Sequence, residues 1–284
     1  MHVNIAVVQF GIQQHSTEEN LKRAERFIQE AAWRAQIIVF PEDFITGPLS
    51  GRTGLADYDG YYVRHFQQLA RQYSIDIVPG SIIEGDASGL FNTTYYIDRT
   101  GEIRGRYRKV NLWLPERGYI TPGEELPVFD TQYGRVGLII CWDLMFPESF
   151  RTLIKQDVQM VICPSYWCFE DAGEGQKHDP QAEVKLVNAL CVTRAFENEV
   201  ILVYANAAGS GNSEGMEEHL IGRSQITVPF KGALTMLDHN QEAMFIQEVD
   251  TAILADAEKS YEIRQDLQGR ITSHTTWQRT KREM

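Results

Sequence analysis

The sequence predicts an α/β fold in which two mixed sheets face each other and helices cover their outer sides. Three observations carry this expectation. Apolar runs short enough to be strands alternate with segments whose apolar residues recur at helical spacing. Ala35-Gln36-Ile37-Ile38-Val39-Phe40-Pro41-Glu42 is echoed by Val158-Gln159-Met160-Val161-Ile162-Cys163-Pro164-Ser165, each a helix-to-strand passage stopped by proline, as in a doubled unit. No Gly-, Ser- or Pro-rich linker separates the two halves, so both belong to one domain.

The elements follow in order. Val3–Val8 reads as a strand. Ser16-Thr17-Glu18-Glu19 reads as a capping box opening a helix, which Leu21, Ala24, Phe27, Ile28, Ala31 and Ala35 continue. Ile37–Phe40 is a second strand, followed by a helix carrying Phe66, Leu69, Ala70 and Tyr73, and by a strand at Ile75–Val78. Asn92 to Arg108 has the pattern of a hairpin turning at Thr100-Gly101. The second half repeats the theme: strand 136–140, helix 147–156, strand 158–163, a helix near 181–196 and strand 200–204. A strand at about 224–228 and a last hairpin reaching Val249 complete the domain, 1–256. The tail, 257–284, is polar, ends in Arg279, Lys281 and Arg282, and lacks a core-forming pattern, as expected of an arm across a partner subunit or a frayed end.

Composition narrows the function. A formal charge of −12 over 284 residues argues against nucleic acid or an anionic membrane as the main partner. No stretch reaches the roughly 18 apolar residues of a membrane helix, and residues 2–10 are too short and lack the basic start of an export signal. The four cysteines, Cys141, Cys163, Cys168 and Cys191, lie close together in the chain, two of them within apolar patterns, so a reducing cytoplasm is expected rather than a disulfide framework. Cys163 and Cys168 have no second pair to complete a zinc site, and no set of Asp, His and Asn marks a metal-dependent phosphohydrolase.

Three strand ends carry chemistry. Cys141 closes the apolar run Val136–Ile140, and a helical pattern begins after Pro147; at such a corner a thiol emerges from the sheet edge near amides that favour a thiolate. The other reading of Cys141 is a small buried hydrophobe. Glu42 follows Ile37–Phe40 and Pro41 beside Phe44, where partial burial would raise its pKa into the range of a general base. Lys109 closes Arg106-Tyr107-Arg108 ahead of Val110-Asn111-Leu112-Trp113, placed to present a fixed positive charge to an oxyanion. Apart from His2, the histidines fall in polar or turn-like contexts. Trp142, Tyr166 and Trp167 are candidates for the substrate-pocket wall, or for core packing.

Phe-Pro-Glu, Tyr-Arg-Lys-Val-Asn-Leu and Ile-Ile-Cys-Trp-Asp-Leu-Met-Phe-Pro-Glu, in this order, resemble the nitrilase superfamily of carbon–nitrogen hydrolases over nearly the whole chain. Glu116 ahead of Tyr119-Ile120-Thr121-Pro122-Gly123, Pro164-Ser165, Arg194-Ala195-Phe196-Glu197-Asn198, Asn206 and Gly222-Arg223-Ser224 extend the resemblance.

The resemblance implies a four-layer α-β-β-α sandwich and a Glu42-Lys109-Cys141 triad. Cys141 would attack a carbonyl carbon, Glu42 would take its proton, and Lys109 with the backbone N–H of Trp142 would hold the oxyanion. A thioester would form and then be hydrolysed, with no metal or cofactor required. Glu116 would be a fourth polar member, orienting Lys109 or the substrate. Asp143 after Trp142 favours an amide or N-carbamoyl substrate over a nitrile, and Met145 disfavours an anionic anchor at that position. Two alternatives stand beside this reading: a nitrilase, and a catalytically idle protein that keeps the fold. The resemblance further implies a homodimer or larger homo-oligomer acting on a small molecule. Loops at 43–60 and 170–180 would shape the specificity of the pocket.

Overall fold

Strand β1 (His2–Gln9) is buried on both faces, which is why it reads as an almost unbroken apolar run rather than an alternating one. Val3, Ile5 and Val7 point between two sheets, and Ala6 and Val8 point to helices α1 (Thr17–Ala31) and α2 (Tyr61–Tyr73). The computed structural model describes residues 1–213 and 216–271. Ser16 does precede α1, but its side chain makes no capping hydrogen bond, so the predicted capping box does not form.

The first sheet contains β1, β2 (Ile37–Val39), β3 (Asp76–Val78), β4 (Ile82–Asp86), β5 (Gly89–Ile97), β6 (Ile103–Arg108) and a late strand, β15 (Ala243–Asp250). β3 and β4 take successive stretches of one edge of β5, and β6 takes the other. The second sheet is built from β7 (Val128–Thr131), β8 (Gly134–Leu138), β9 (Met160–Ser165), β10 (Ile201–Asn206), β13 (Gln225–Val228) and β14 (Gly232–Met236). Helices α3 (Pro147–Ile154) and α4 (Ala182–Asn198) follow β8 and β9 and supply Phe150, Leu153, Val187, Cys191 and Ala195 to the core. A small ribbon, β11 (Ser210–Ser213) with β12 (Met216–His219), stands apart.

Each sheet has the same centre: three parallel strands, β1-β2-β3 in one and β10-β9-β8 in the other, flanked by antiparallel strands. The two echoing segments form the middle strand of each trio, β2 and β9. Val3, Ile5 and Val7 share one core with Leu138, Ile162 and Val203, so the sheets pack face to face as the α-β-β-α sandwich predicts.

The chain end differs from expectation in two respects. The predicted last hairpin does not form: β14 pairs with β13, whereas β15 crosses to the other sheet and pairs antiparallel with β1 along its full length. The tail expected from 257 begins within helix α5 (Ala252–Tyr261), where Ala257 is fully buried, and α6 (Ile263–Ile271) follows. Arg264 anchors α6 by donating to the carbonyls of Val158 (2.6 Å) and Glu199 (2.9 Å). The basic end at Arg279, Lys281 and Arg282 lies outside the described residues. Among the described residues, no helix is long and apolar enough to cross a membrane.

Candidate active site

The middle strands of the two trios deliver one wall of the site. Pro41 stops β2, and Glu42 follows with its N–H donating to the carbonyl of Ser165, the last residue of β9 (3.3 Å). The next N–H on that side, from Tyr166, donates to Glu42 Oε2 at 3.0 Å. The carboxylate is almost wholly buried. Burial is the largest influence on it and raises its pKa, opposed by Lys109.

Lys109 follows β6 and is paired by its backbone N–H to the carbonyl of Asn92 (2.8 Å). Its ammonium sits 2.8 Å from Glu42 Oε1 and 2.7 Å from Glu116 Oε2, with 1% of its side chain exposed. Burial pulls the lysine pKa down, but Glu116 and Glu42 outweigh that pull and hold it well above the ordinary value. Glu116 comes from a tight turn, Pro115–Gly118, and also accepts the N–H of Trp113 (2.7 Å). A lone buried ammonium would lose its proton; here two carboxylates keep it charged.

Cys141 follows β8 and the extended pair Ile139-Ile140, then adopts φ +46, a left-handed conformation that few side chains tolerate. It opens a tight 3-10 turn, Cys141–Met145, before α3, a turn the sequence reading merged into the corner. Two groups hold this turn. Asp143 folds back so that its Oδ2 accepts the N–H of Ile140 (2.9 Å). Arg194 of α4 donates to the carbonyls of Leu144 (3.1 Å) and Met145 (3.0 Å), which explains one segment of the resemblance. The Cys141 thiol lies 3.7 Å from the carbonyl of Tyr166 and within bonding reach of Glu42. Burial first, then Glu42, pushes the thiol well above its usual pKa, with Lys109 opposing, so it rests protonated.

These groups line one cavity of about 60 Å³, room for only a handful of waters. Glu42, Lys109, Glu116, Cys141 and Tyr166 all face it. Trp142 and Trp167 do not line it: Trp142 packs on Trp113 (ring centroids 4.3 Å apart) and on Trp167 (5.6 Å), and it is Trp113 that reaches the cavity. Trp167 is held behind the wall, its indole N–H donating to Glu183 and its backbone N–H to Asn206. Met145 packs against the core beneath the turn. Among the described residues no histidine lines the cavity, and no group of three or more His, Cys, Asp or Glu is arranged to hold a metal ion.

The two loops expected to shape the pocket, 43–60 and 170–180, contribute Asp43 and Asp171, whereas Tyr119, Cys168 and Glu218 escaped the sequence reading. Asp43, Tyr119, Cys168, Asp171 and Glu218 line the cavity, and burial raises the Asp171 pKa to about 7. Most telling is Asn92, fully buried in β5, whose amide nitrogen donates to Glu42 Oε1 (2.8 Å) and Glu116 Oε1 (2.9 Å). An asparagine amid the aromatic and β-branched residues of a strand was the available signal.

A family model described as carbon-nitrogen hydrolase matches residues 4–258. The chain is 27% identical over 271 residues to 2-oxoglutaramate amidase of Bacillus subtilis (strain 168), covering 94% of this chain and 98% of that protein. It is 30% identical over 256 residues to a nitrilase of Pyrococcus abyssi (strain GE5 / Orsay), covering 87% and 90%. Among solved structures, an amidase mutant from Nesterenkonia sp. AN1, its active-site cysteine carrying the acetamide moiety of fluoroacetamide, superposes with a TM-score of 0.77 at 22% identity, covering 92% of this chain and 96% of that one. The chain belongs to the carbon–nitrogen hydrolase family, enzymes that cleave C–N bonds other than peptide bonds.

Proposed function

We propose that this enzyme hydrolyses a small amide or N-carbamoyl compound through a thioester on Cys141, releasing ammonia. One observation carries the reading: a buried ammonium, held charged by two carboxylates, borders the same small cavity as a protonated thiol and a buried carboxylate.

As Cys141 Sγ bonds to the carbonyl carbon, Glu42 takes the thiol proton, and the C=O pair moves onto oxygen as an oxyanion. The Lys109 ammonium, with the Trp142 N–H, holds that charge; such preorganised donors are worth about 3–4 kcal/mol each. Glu42 returns the proton to the leaving nitrogen, the C–N bond breaks, and ammonia departs. Water, deprotonated by Glu42, then attacks the thioester and frees the acid and the thiol. From an N-carbamoyl compound the released carbamic acid breaks down to amine and CO2.

The amidase relative supports an amide substrate, and the cysteine adduct in the Nesterenkonia amidase supports a thiol nucleophile. Asp143 does not line the cavity, so the preference for amides over nitriles that the resemblance attaches to it would act through the set of the turn rather than by contact. Ammonia release from a panel of small amides, N-carbamoyl compounds and nitriles tests the reading. Wild type is expected to turn over one of the first two classes, and Cys141→Ala none. Turnover surviving in Cys141→Ala would overturn the nucleophile assignment; turnover of nitriles alone would overturn the substrate class.

We further propose a homodimer or larger assembly in the cytoplasm. All four cysteines are free thiols. Phe230 and Tyr261, the last residue of α5, are both exposed and pack on one another at 5.2 Å, an aromatic pair suited to a partner surface. Light scattering of the full chain against a truncation at about Glu258 is expected to show loss of the oligomer.

A further inference from the structure

Glu42 and Glu116 are two carboxylates at one site with a single ammonium between them, and such pairs repel unless something else holds them. Asn92 provides the second hold. It stands directly across from Lys109, bonded to it through the backbone, so the strand pairing that sets Lys109 also sets Asn92. Its side-chain nitrogen reaches both carboxylates, at 2.8 and 2.9 Å, on the oxygens Glu42 Oε1 and Glu116 Oε1. The orientation of the amide is forced: turned over, its oxygen would face both anions. Its Oδ1, although buried, finds no hydrogen-bond partner among the described residues.

We propose that Asn92 is a positioning residue for the general base: by donating one N–H to each carboxylate it holds Glu42 ionised and aimed at the Cys141 thiol, with Glu116 as its counterweight. This rests on the role given to Glu42 above. A donor bonded to a carboxylate stabilises the charged form, so removing it must raise the pKa of Glu42 and move the acid limb of activity to higher pH. Lys109, Glu116 and Tyr119 face Glu42 from the segment after β6, and Cys141 faces it from the turn after β8. Cys163 of β9, Cys168 and Asp171 beyond it, and the adjacent Asp43 complete its titratable surroundings. None of these donates to both carboxylates except Lys109.

The test is the pH profile of kcat/KM for Asn92→Asp, which keeps the shape but loses the donors, and for Asn92→Ala, which removes the amide. Both are compared with wild type on whichever amide the panel identifies. Because a hydrogen bond to a charged group favours the charged form, its loss is expected to raise the acid midpoint by about one pH unit or more in both variants, with the larger rise in Asn92→Asp. At a pH below the wild-type midpoint, kcat/KM is expected to fall roughly tenfold or more. A merely structural role would scale activity down equally at every pH and leave the midpoint in place; that result in either folded variant overturns the proposal. Should Asn92→Asp not fold, Asn92→Ala carries the same expectation. Glu42→Gln separates the two failures. If it stays active, the base assignment itself falls; if it is inactive while the Asn92 variants keep the wild-type midpoint, only the inference about Asn92 falls.

Discussion

Glu42 and Tyr166 lie 124 residues apart in sequence, yet the N–H of Tyr166 donates to the Glu42 carboxylate at 3.0 Å. The neighbouring bond, from Glu42 N–H to the Ser165 carbonyl, joins the ends of β2 and β9 across the sandwich. The repeated helix-strand-proline passage thus has a physical outcome. Each copy ends the middle strand of its sheet at the same edge, where the ends meet and close one wall of the cavity.

The first prediction concerns pH. Glu42 must be ionised to act as base, and burial raises its pKa above the usual glutamate value of 4.5. The acid limb of kcat/KM is therefore expected above that value, with activity lost as pH falls through it. Glu42→Gln is expected to lower kcat/KM by about 100-fold or more. Steady-state kinetics across pH measure both, and an acid limb at or below the usual value would contradict the raised pKa.

Glu116 acts at the other end of the profile. Lys109 must keep its proton, and Glu116 is the largest of the charges that outweigh burial to hold it. Glu116→Gln leaves one carboxylate, so the lysine pKa falls and the basic limb is expected to move toward neutral pH by about one unit or more. An unchanged basic limb would mean that Glu42 alone secures the charge.

Tyr107 and Asp143 tie the two segments that carry Lys109 and Cys141. The phenol donates to Asp143 Oδ2 at 2.7 Å and accepts the N–H of Val110 at 2.9 Å, while Asp143 Oδ1 accepts both the backbone and side-chain N–H of Asn111 (2.9 Å each). Tyr107→Phe leaves buried groups unsatisfied and is expected to cost about 1–3 kcal/mol of stability, read by urea denaturation, with both pH midpoints unmoved. A stability change below about 0.5 kcal/mol would show that the tie is dispensable.

Gly80 lies under the Glu42 corner at φ +61, and a β-carbon there would come within 1.9 Å of the Pro41 carbonyl. Gly80→Ala must either shift that corner or strain it, and is expected to destabilise the fold by roughly 3 kcal/mol or more while displacing the carboxylate. Thermal denaturation and residual ammonia release on the folded fraction measure the two effects.

Much of this molecule was legible in its local patterns. The apolar run stopped by Pro41, the run Val136–Ile140 ahead of the helix that Pro147 opens, and the Arg106–Lys109 strand end placed Glu42, Cys141 and Lys109 at sheet edges, because strand length and burial leave their marks within a few residues. The errors were of a different kind. Ser16 has the right neighbours for a cap but makes no bond, and Ala243–Asp250 has the pattern of a hairpin arm yet pairs with β1. Trp142 follows the thiol in sequence but packs behind the wall, its ring tilted against Trp113 and Trp167.

By itself, the sequence determined the alternation of strands and helices and the three chemical groups placed just past strand ends. Hydrophobic period, prolines and burial act locally and can be read one segment at a time. Only the tertiary structure decided that Asn92 would bridge two carboxylates, that Lys109 would be shared between them, and that β15 would close the first sheet. Those outcomes depend on which distant strand lies alongside, and a donor's partner is chosen by that neighbour rather than by the residues beside it in the chain.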